Sequence, residues 1–248
     1  METLFIGQEK LKFAVLESTN SYLKNIIKNG NPAEGLTVLA EYQTSGRGQF
    51  GNSWEAEKGK NLLFSVLLKP AFLPPDRQFI LNMSVCLAVV DSLNEISPGF
   101  LIKWPNDILY NQKKVAGILI ESAISSGALE NTVVGIGINI NQTQFEVENM
   151  RTSLKKITGN VVEPDFVLTK VLEKMEGRYL KLKRGNTSGL FREYYSVMFG
   201  MERELPVRIG DEITSIIPLA VEPGGELLAM HKGRKVRFRF KEVQFILN

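Results

Sequence analysis

Apolar and polar positions follow two regimes along the chain, and they meet near residue 200. Before it, short apolar runs alternate with longer segments at helical spacing. After it, apolar and polar residues alternate one by one. Leu11 to Leu16 reads as a strand. Ser18, Thr19 and Asn20 are helix-capping residue types, and Leu23, Ile26 and Ile27 follow at helical spacing until Asn29-Gly30. Leu36 to Thr44 and Leu62 to Leu68 read as strands, the second ended by Lys69-Pro70. Arg77 to Ile96 carries Phe79, Met83, Cys86, Val90 and Leu93 and predicts a largely buried helix. Cys86 sits in that stripe, which predicts an inert core thiol. In Leu101 to Tyr110, Pro105 breaks the run and puts Asn106 and Asp107 at a bend between two strands. Asn111-Gln112 predicts a tight turn, and Lys113 to Glu121 a strand running back. Val133 to Asn141 is a further strand, in which Gly135 and Gly137 mark a close approach to the backbone. Pro164 opens a helix with Leu168, Val171, Leu172, Met175, Tyr179 and Leu182 on one stripe, and a short second helix covers Ser188 to Met198.

Beyond Gly200, Leu205, Val207 and Ile209 alternate with polar residues, as do Val236, Phe238 and Phe240. Gly210-Asp211, Pro223-Gly224-Gly225 and Lys232-Gly233 punctuate the runs. This predicts a small all-β unit, a barrel of short strands. The fold class is α+β: a mixed or antiparallel sheet flanked by helices, not a doubly wound parallel sheet. The expected division is a domain over 1–199 and a small domain over 200–248.

Composition narrows the class. With 30 basic and 27 acidic residues among 248, net charge is +3, too balanced to demand a nucleic acid. The single cysteine excludes an internal disulfide and fits a reducing compartment. No signal-peptide pattern opens the chain and no apolar run is long enough to span a bilayer, so the expectation is a cytoplasmic protein with no membrane partner.

Candidate chemistry centres on Gln43 to Asn61. This stretch holds Gly46, Gly48, Gly51 and Gly59 with Arg47, Trp54 and Lys58, between two predicted strands. Glycines let backbone amides approach an anion, and Arg offers a planar fork of donors. A glycine-rich surface loop with no ligand has the same composition, so other residues must decide. No GxxxxGK[ST] loop is present, and GIGIN lacks the GxGxxG spacing. One histidine, His231, and one cysteine exclude a His/Cys zinc site and a histidine-based triad. Polar residues near strand ends remain: Arg47, Lys103, Asn106, Asp107, Lys114 and Asn139. Two lysines, an arginine and a carboxylate suit phosphate chemistry run by positioning and charge neutralisation. Lys114, after a turn and before VAGILIE, is expected to point into a cleft at the sheet's edge.

GRGQFGNSW, KWPNDILY, KKVAGILIE and GIGININ, in that order, resemble the signature blocks of biotin protein ligases, and Ser18-Thr19-Asn20 and Gln43 match as well. The resemblance covers nearly the whole chain. It implies a class II aminoacyl-tRNA synthetase-like catalytic domain and a C-terminal SH3-like β-barrel. It also implies a two-step reaction: biotin and ATP give biotinyl-5′-AMP, then biotin passes to a lysine of a biotin carboxyl carrier protein. Mg²⁺ is implied through the phosphates, with no dedicated protein cluster. Lys114, Arg47 and Asp107 match catalytic positions. Asp107 is left to orient Lys114, to orient the incoming lysine, or to help place Mg²⁺. Biotin-contacting positions match Ser18, Thr19, Asn20, Gln43, Gly46, Arg47, Gly48, Lys114 and Gly117. Nucleotide positions match Arg47, Asn52, Trp54, Asn106, Lys114 and Asn139, with Trp54 stacking near the adenine.

Two features depart from the family. Gln49, Phe50 and Asn52 stand where some members have arginines. About ten residues precede the first strand, which leaves no place for a winged-helix domain, so sequence-specific DNA binding is not expected. A homodimer is compatible with the family. The basic face of Lys232, Arg234, Lys235, Arg237, Arg239 and Lys241 is either a solvated strand or a docking surface for the carrier. The rivals are a lipoate or octanoate–protein ligase, whose Gly-Gly-Gly-Ala-Val-x-His-Asp run is missing here, and a non-catalytic binding module. The loop from Gln43 to Lys60 is expected to act as a ligand-gated lid.

Overall fold

The structure is a computed structural model and describes residues 3–147, 150–187 and 189–247. Ser188, at the predicted start of the short second helix, and the side chain of Phe50 lie outside the described residues.

Seven strands form one mixed sheet. They are β1 (Lys10–Leu16), β2 (Thr37–Gln43), β3 (Leu62–Leu68), β4 (Phe100–Lys103), β5 (Asp107–Tyr110), β6 (Lys113–Ser125) and β7 (Ala128–Ile138). Their order is β1-β2-β3-β7-β6-β5-β4. Only β1 and β2 run parallel, and every other neighbouring pair is antiparallel. The hairpin between β5 and β6 turns at Asn111 and Gln112, both at positive φ, a conformation that Asn adopts more readily than most residues.

β3 is buried along its full length because both of its faces are covered. Phe64, Val66 and Leu68 join the larger core with α2 (Phe79–Asn94) and α4 (Pro164–Lys183). Leu67 faces the other way and packs with Leu23 of α1 (Thr19–Asn29) and with Val133. In α2 every residue except Asp91 and Asn94 is buried, so it forms the centre of the larger core. Cys86 lies within it, and burial pushes its thiol up, as an inert core thiol requires. A short helix not read from the sequence, α3 (Leu154–Thr158), precedes α4, and α5 (Leu190–Ser196) follows it.

The C-terminal unit corrects one expectation, because its strands do not close into a barrel. β8 (Leu205–Ile209), β9 (Glu212–Val221), β10 (Leu227–His231), β11 (Arg234–Phe238) and β12 (Gln244–Phe245) form an open antiparallel sheet in the order β11-β10-β9-β8-β12. β9 pairs with β8 through its first half and with β10 through its second. β12 is two residues long and, among the described residues, pairs with β8 and not with β11. Alternation identifies strands, whereas closure depends on tilt and stagger, which alternation does not encode.

The sheet docks beside the seven-stranded half through aromatic side chains. The Phe240 ring lies 5.3 Å from Trp104 and 6.0 Å from Phe79, centroid to centroid. The Trp104 indole N–H donates to Gly225 O at 3.0 Å. The apolar core runs continuously across residue 200, taking in Val207, Ile216, Leu227 and Phe238.

Candidate active site

A cleft of about 420 Å³ opens on the face of the sheet that carries α1. Its floor is made by glycines. Gly117 on β6 and Gly137 on β7 are cross-strand partners, and Gly135 sits two residues along β7. Side chains from elsewhere fill the space they leave. A Cβ on Gly137 would lie 2.5 Å from Trp54 Cε2, and one on Gly135 would lie 2.1 Å from Asn20 Oδ1. The close approach predicted from these glycines therefore includes the protein's own Trp54 and Asn20.

Lys114 reaches this floor through a bulge. Pairing between β5 and β6 shifts after Ile108, so that Leu109 opposes Lys114 rather than Val115. The extra residue turns Lys114 onto the Gly117 face, where a Cβ on Gly117 would be 3.2 Å from Lys114 Nζ. β6 is an interior strand, so the cleft lies over the middle of the sheet and not at its edge. Lys114 Nζ also lies 5.3 Å from the centre of the Trp54 ring.

Asp107 occupies the corner beside it. Trp104-Pro105 is a cis peptide in the turn between β4 and β5, and the register puts Asp107 across from Lys103. Asp107 Oδ1 lies 2.5 Å from Lys114 Nζ, and Oδ2 accepts from Lys103 Nζ at 2.6 Å. Burial alone would raise this carboxyl, but the charges and hydrogen bonds of Lys114 and Lys103 outweigh it and hold Asp107 below the usual carboxylate range. The corner thus presents two cations around one fixed anion. Lys103, which the sequence left among general candidates, is as closely engaged as Lys114.

The start of α1 forms the opposite wall. Ser18 is its N-cap and accepts from Ser21 N. Gln43 Oε1 accepts from Thr19 N at 2.7 Å and from the Thr19 hydroxyl at 3.1 Å. The Ser65 hydroxyl lies 2.6 Å from Asn20 Oδ1 and 2.7 Å from Thr19 Oγ1. Capping and facing the cleft are therefore both done by the Ser18-Thr19-Asn20 block. Ser65 was missed because its strand reads as uniformly buried, and one polar residue among six apolar ones was the available signal.

The glycine-rich segment leaves β2 and folds back on itself. Trp54 N donates to Gly46 O at 2.9 Å, and Arg47 and Ser53 form an isolated bridge. Arg47, Gly48, Gln49, Asn52 and Trp54 line the cleft. Arg47 Nη2 lies 3.2 Å from Glu121 Oε1, a partner the sequence did not suggest. Asn106 lines the cleft but donates its amide to Ile118 O. Gly46 and Asn139 stand outside the lining. A Cβ on Gly46 would press Trp54 O at 2.7 Å. Asn139 is buried and donates to Thr152 O at 3.0 Å. Asn139 Oδ1 and the Trp54 indole N–H are both buried without a hydrogen-bond partner among the described residues. Phe240 and Lys241 bring the C-terminal sheet to the rim. Among the described residues, no group of three or more His, Cys, Asp or Glu could hold a metal ion, and no helix is long and apolar enough to cross a membrane.

A glycine-floored cleft with a cationic corner, over a mixed sheet of this order, suits an anionic ligand laid against backbone. Residues 12–139 match the model of the biotin/lipoate A/B protein ligase family, and the chain belongs to that family. Among relatives, a bifunctional ligase/repressor BirA of Bacillus subtilis is 34% identical over 185 residues, covering 72% of this chain. The chain spans only 56% of that relative's length. A biotin–[acetyl-CoA-carboxylase] ligase of Mycobacterium tuberculosis is 28% identical over 90% of this chain and 86% of its own. Among solved structures, a biotin protein ligase of Aquifex aeolicus in complex with biotin and ATP superposes with a TM-score of 0.80. It is 28% identical, with 97% of this chain and all of that one covered.

Proposed function

We propose that this chain is an ATP-dependent biotin protein ligase. The biotin carboxylate attacks the α-phosphate of ATP, forming biotinyl-5′-AMP and releasing pyrophosphate. The ε-amine of one lysine on a biotin carboxyl carrier protein then attacks the mixed anhydride, takes the biotinyl group and releases AMP. The observation that carries this reading is the Lys103–Asp107–Lys114 corner facing the glycine floor. Negative charge develops on the phosphate in the first step and on the carbonyl oxygen in the second, and a fixed ammonium stabilises both. The names of the Mycobacterium and Aquifex relatives support biotin over lipoate as the acid.

Within this reading Lys114 is the main catalytic residue and Arg47 meets the carboxylate and phosphate. Both Asp107 oxygens are engaged by lysines, so its role is to orient Lys114 and not to take a proton. Ser18, Thr19, Asn20, Gln43, Gly48 and Gly117 surround the acid, and Gly46, outside the lining, acts through the close packing of Trp54. Asn52, Trp54 and Asn106 serve the nucleotide from the lining, whereas Asn139, buried outside it, reaches the nucleotide only if the lining opens toward it. The corner's donor set is cationic and fits phosphate oxygens rather than a metal, so Mg²⁺ is assigned to the ATP substrate. The carrier is the partner assigned.

The test mixes protein, ATP, Mg²⁺ and an acid. Biotin should release pyrophosphate and leave a tightly held biotinyl-AMP, and Lys114→Ala should slow this by roughly 10²–10³-fold. Release with lipoate or octanoate but not biotin would reassign the substrate. No turnover with any acid would leave a binding module.

A further inference from the structure

Glu121 ends the β6 run KKVAGILIE next to the cleft-lining residues Asn20 and Arg47, and three side chains from two other elements meet on its carboxylate. Asn20 of α1 donates its amide to Oε2 at 2.9 Å. Lys24, one turn further along α1, reaches Oε1 at 2.9 Å. Arg47 of the glycine-rich loop reaches the same Oε1 with Nη2 at 3.2 Å. Partial burial would raise this carboxyl, but the Asn20 hydrogen bond and the charges of Lys24 and Arg47 hold it low, so it is an anion at neutral pH.

A guanidinium has five N–H donors in a rigid fork. Arg47 gives Nη2 to Glu121, and its remaining donors have no hydrogen-bond partner among the described residues. An arginine tethered at one nitrogen has lost part of its rotamer freedom before a ligand arrives, and its free donors can then meet an anion at lower entropic cost. The tether also ties the loop to Asn20, which fills the space over Gly135. We propose that Glu121 is the positioning residue of this site: it holds Arg47 against the cleft so that the open side of the guanidinium meets the substrate anion. The identity of that anion rests on the ligase reading, whereas the tether does not. The opposite arrangement, in which Glu121 competes with the substrate for Arg47, predicts effects of opposite sign.

The experiment is a cycle of Glu121→Gln and Arg47→Ala, singly and together, with two readouts. In biotin-dependent pyrophosphate release, Glu121→Gln should raise the KM for biotin about tenfold with a smaller change in kcat, because lost preorganisation weakens binding. On the Arg47→Ala background it should change KM by less than about twofold, since residues acting as one unit are not additive. Hydrogen exchange of the 45–54 amides without ligand should quicken severalfold in Glu121→Gln, with no further gain in the double variant. Glu121→Asp, which keeps the charge on a shorter stem, should fall between. A lower KM in Glu121→Gln, or equal effects on both backgrounds, overturns the proposal. If the unaltered protein releases no pyrophosphate with biotin, the ligase reading fails on its own. Exchange then decides the tether: quickening that needs Arg47 supports it, and unchanged exchange overturns it.

Discussion

Asp107 shows how one residue acquires its properties from partners distant in sequence. Lys103 opposes it across a hairpin, and Lys114 is turned toward it by a bulge. Its folded-state pKa lies below the unfolded value of about 3.9. Stability from this carboxylate is therefore fully present above the unfolded value and lost as pH falls through the lower, folded value. Asp107→Asn should cost roughly 2–4 kcal/mol at pH 7, because two partly buried lysines lose their shared counter-charge. In denaturant unfolding the gap between the two proteins should stay constant above about pH 5 and narrow below about pH 4. A gap that did not change with pH would detach the effect from the charge. The motif KWPND already pointed to Asn106 and Asp107 at a bend. The sequence left three roles open for Asp107 because it does not show which side chains take each carboxylate oxygen. Glu121 was invisible for the same reason, since its partners are 74 to 101 positions away.

At the scale of elements, the strands were legible because buried runs and turn residues have local causes. The apolar run Leu62 to Leu68 coincides with β3 residue for residue, and Ser18 caps α1 from the expected block. What could not be read was register. Gly117 and Gly137 become a floor only because β6 and β7 align them, and Trp54 fills the gap from another loop. Gly137→Ala should therefore displace the indole, cost roughly 1–3 kcal/mol and shift tryptophan emission. Unchanged emission and stability would mean that Trp54 does not rest there. The loop itself is held at its stem by Thr44 N to Leu16 O and Ser45 N to Glu17 O, while Arg47, Gly51, Asn52 and Ser53 are exposed. Exposed tips are where proteases cut. If the loop closes over ligand as proposed, trypsin should cleave after Arg47 and more slowly with biotin and ATP present; equal rates would make it an ordinary loop.

At the scale of the molecule, the change of pattern near residue 200 marks a change of architecture but not a break in the core. We propose the division into 1–199 and 200–248 as an organisation of the chain. The contacts across it bear on how the chain unfolds. Trp104, between the cationic corner and the C-terminal sheet, is buried and hydrogen-bonded to Gly225, and Phe240 packs on both Trp104 and Phe79. The Tyr195 hydroxyl of α5 donates to Val221 O and accepts from Val221 N at the end of β9. Units coupled through shared aromatic burial melt together unless the interface is small and polar. Thermal unfolding should therefore show one transition, with fluorescence and far-UV circular dichroism coincident. Phe240→Ala removes the ring that joins the halves and should cost roughly 2–4 kcal/mol. Because Phe240 also lines the cleft rim, the same variant should weaken ligand binding, whereas a variant on the far side of the small sheet, such as Ile213→Thr, should leave binding unchanged. Two separate transitions in the unaltered protein would show instead that the small sheet is a self-sufficient domain resting against the site.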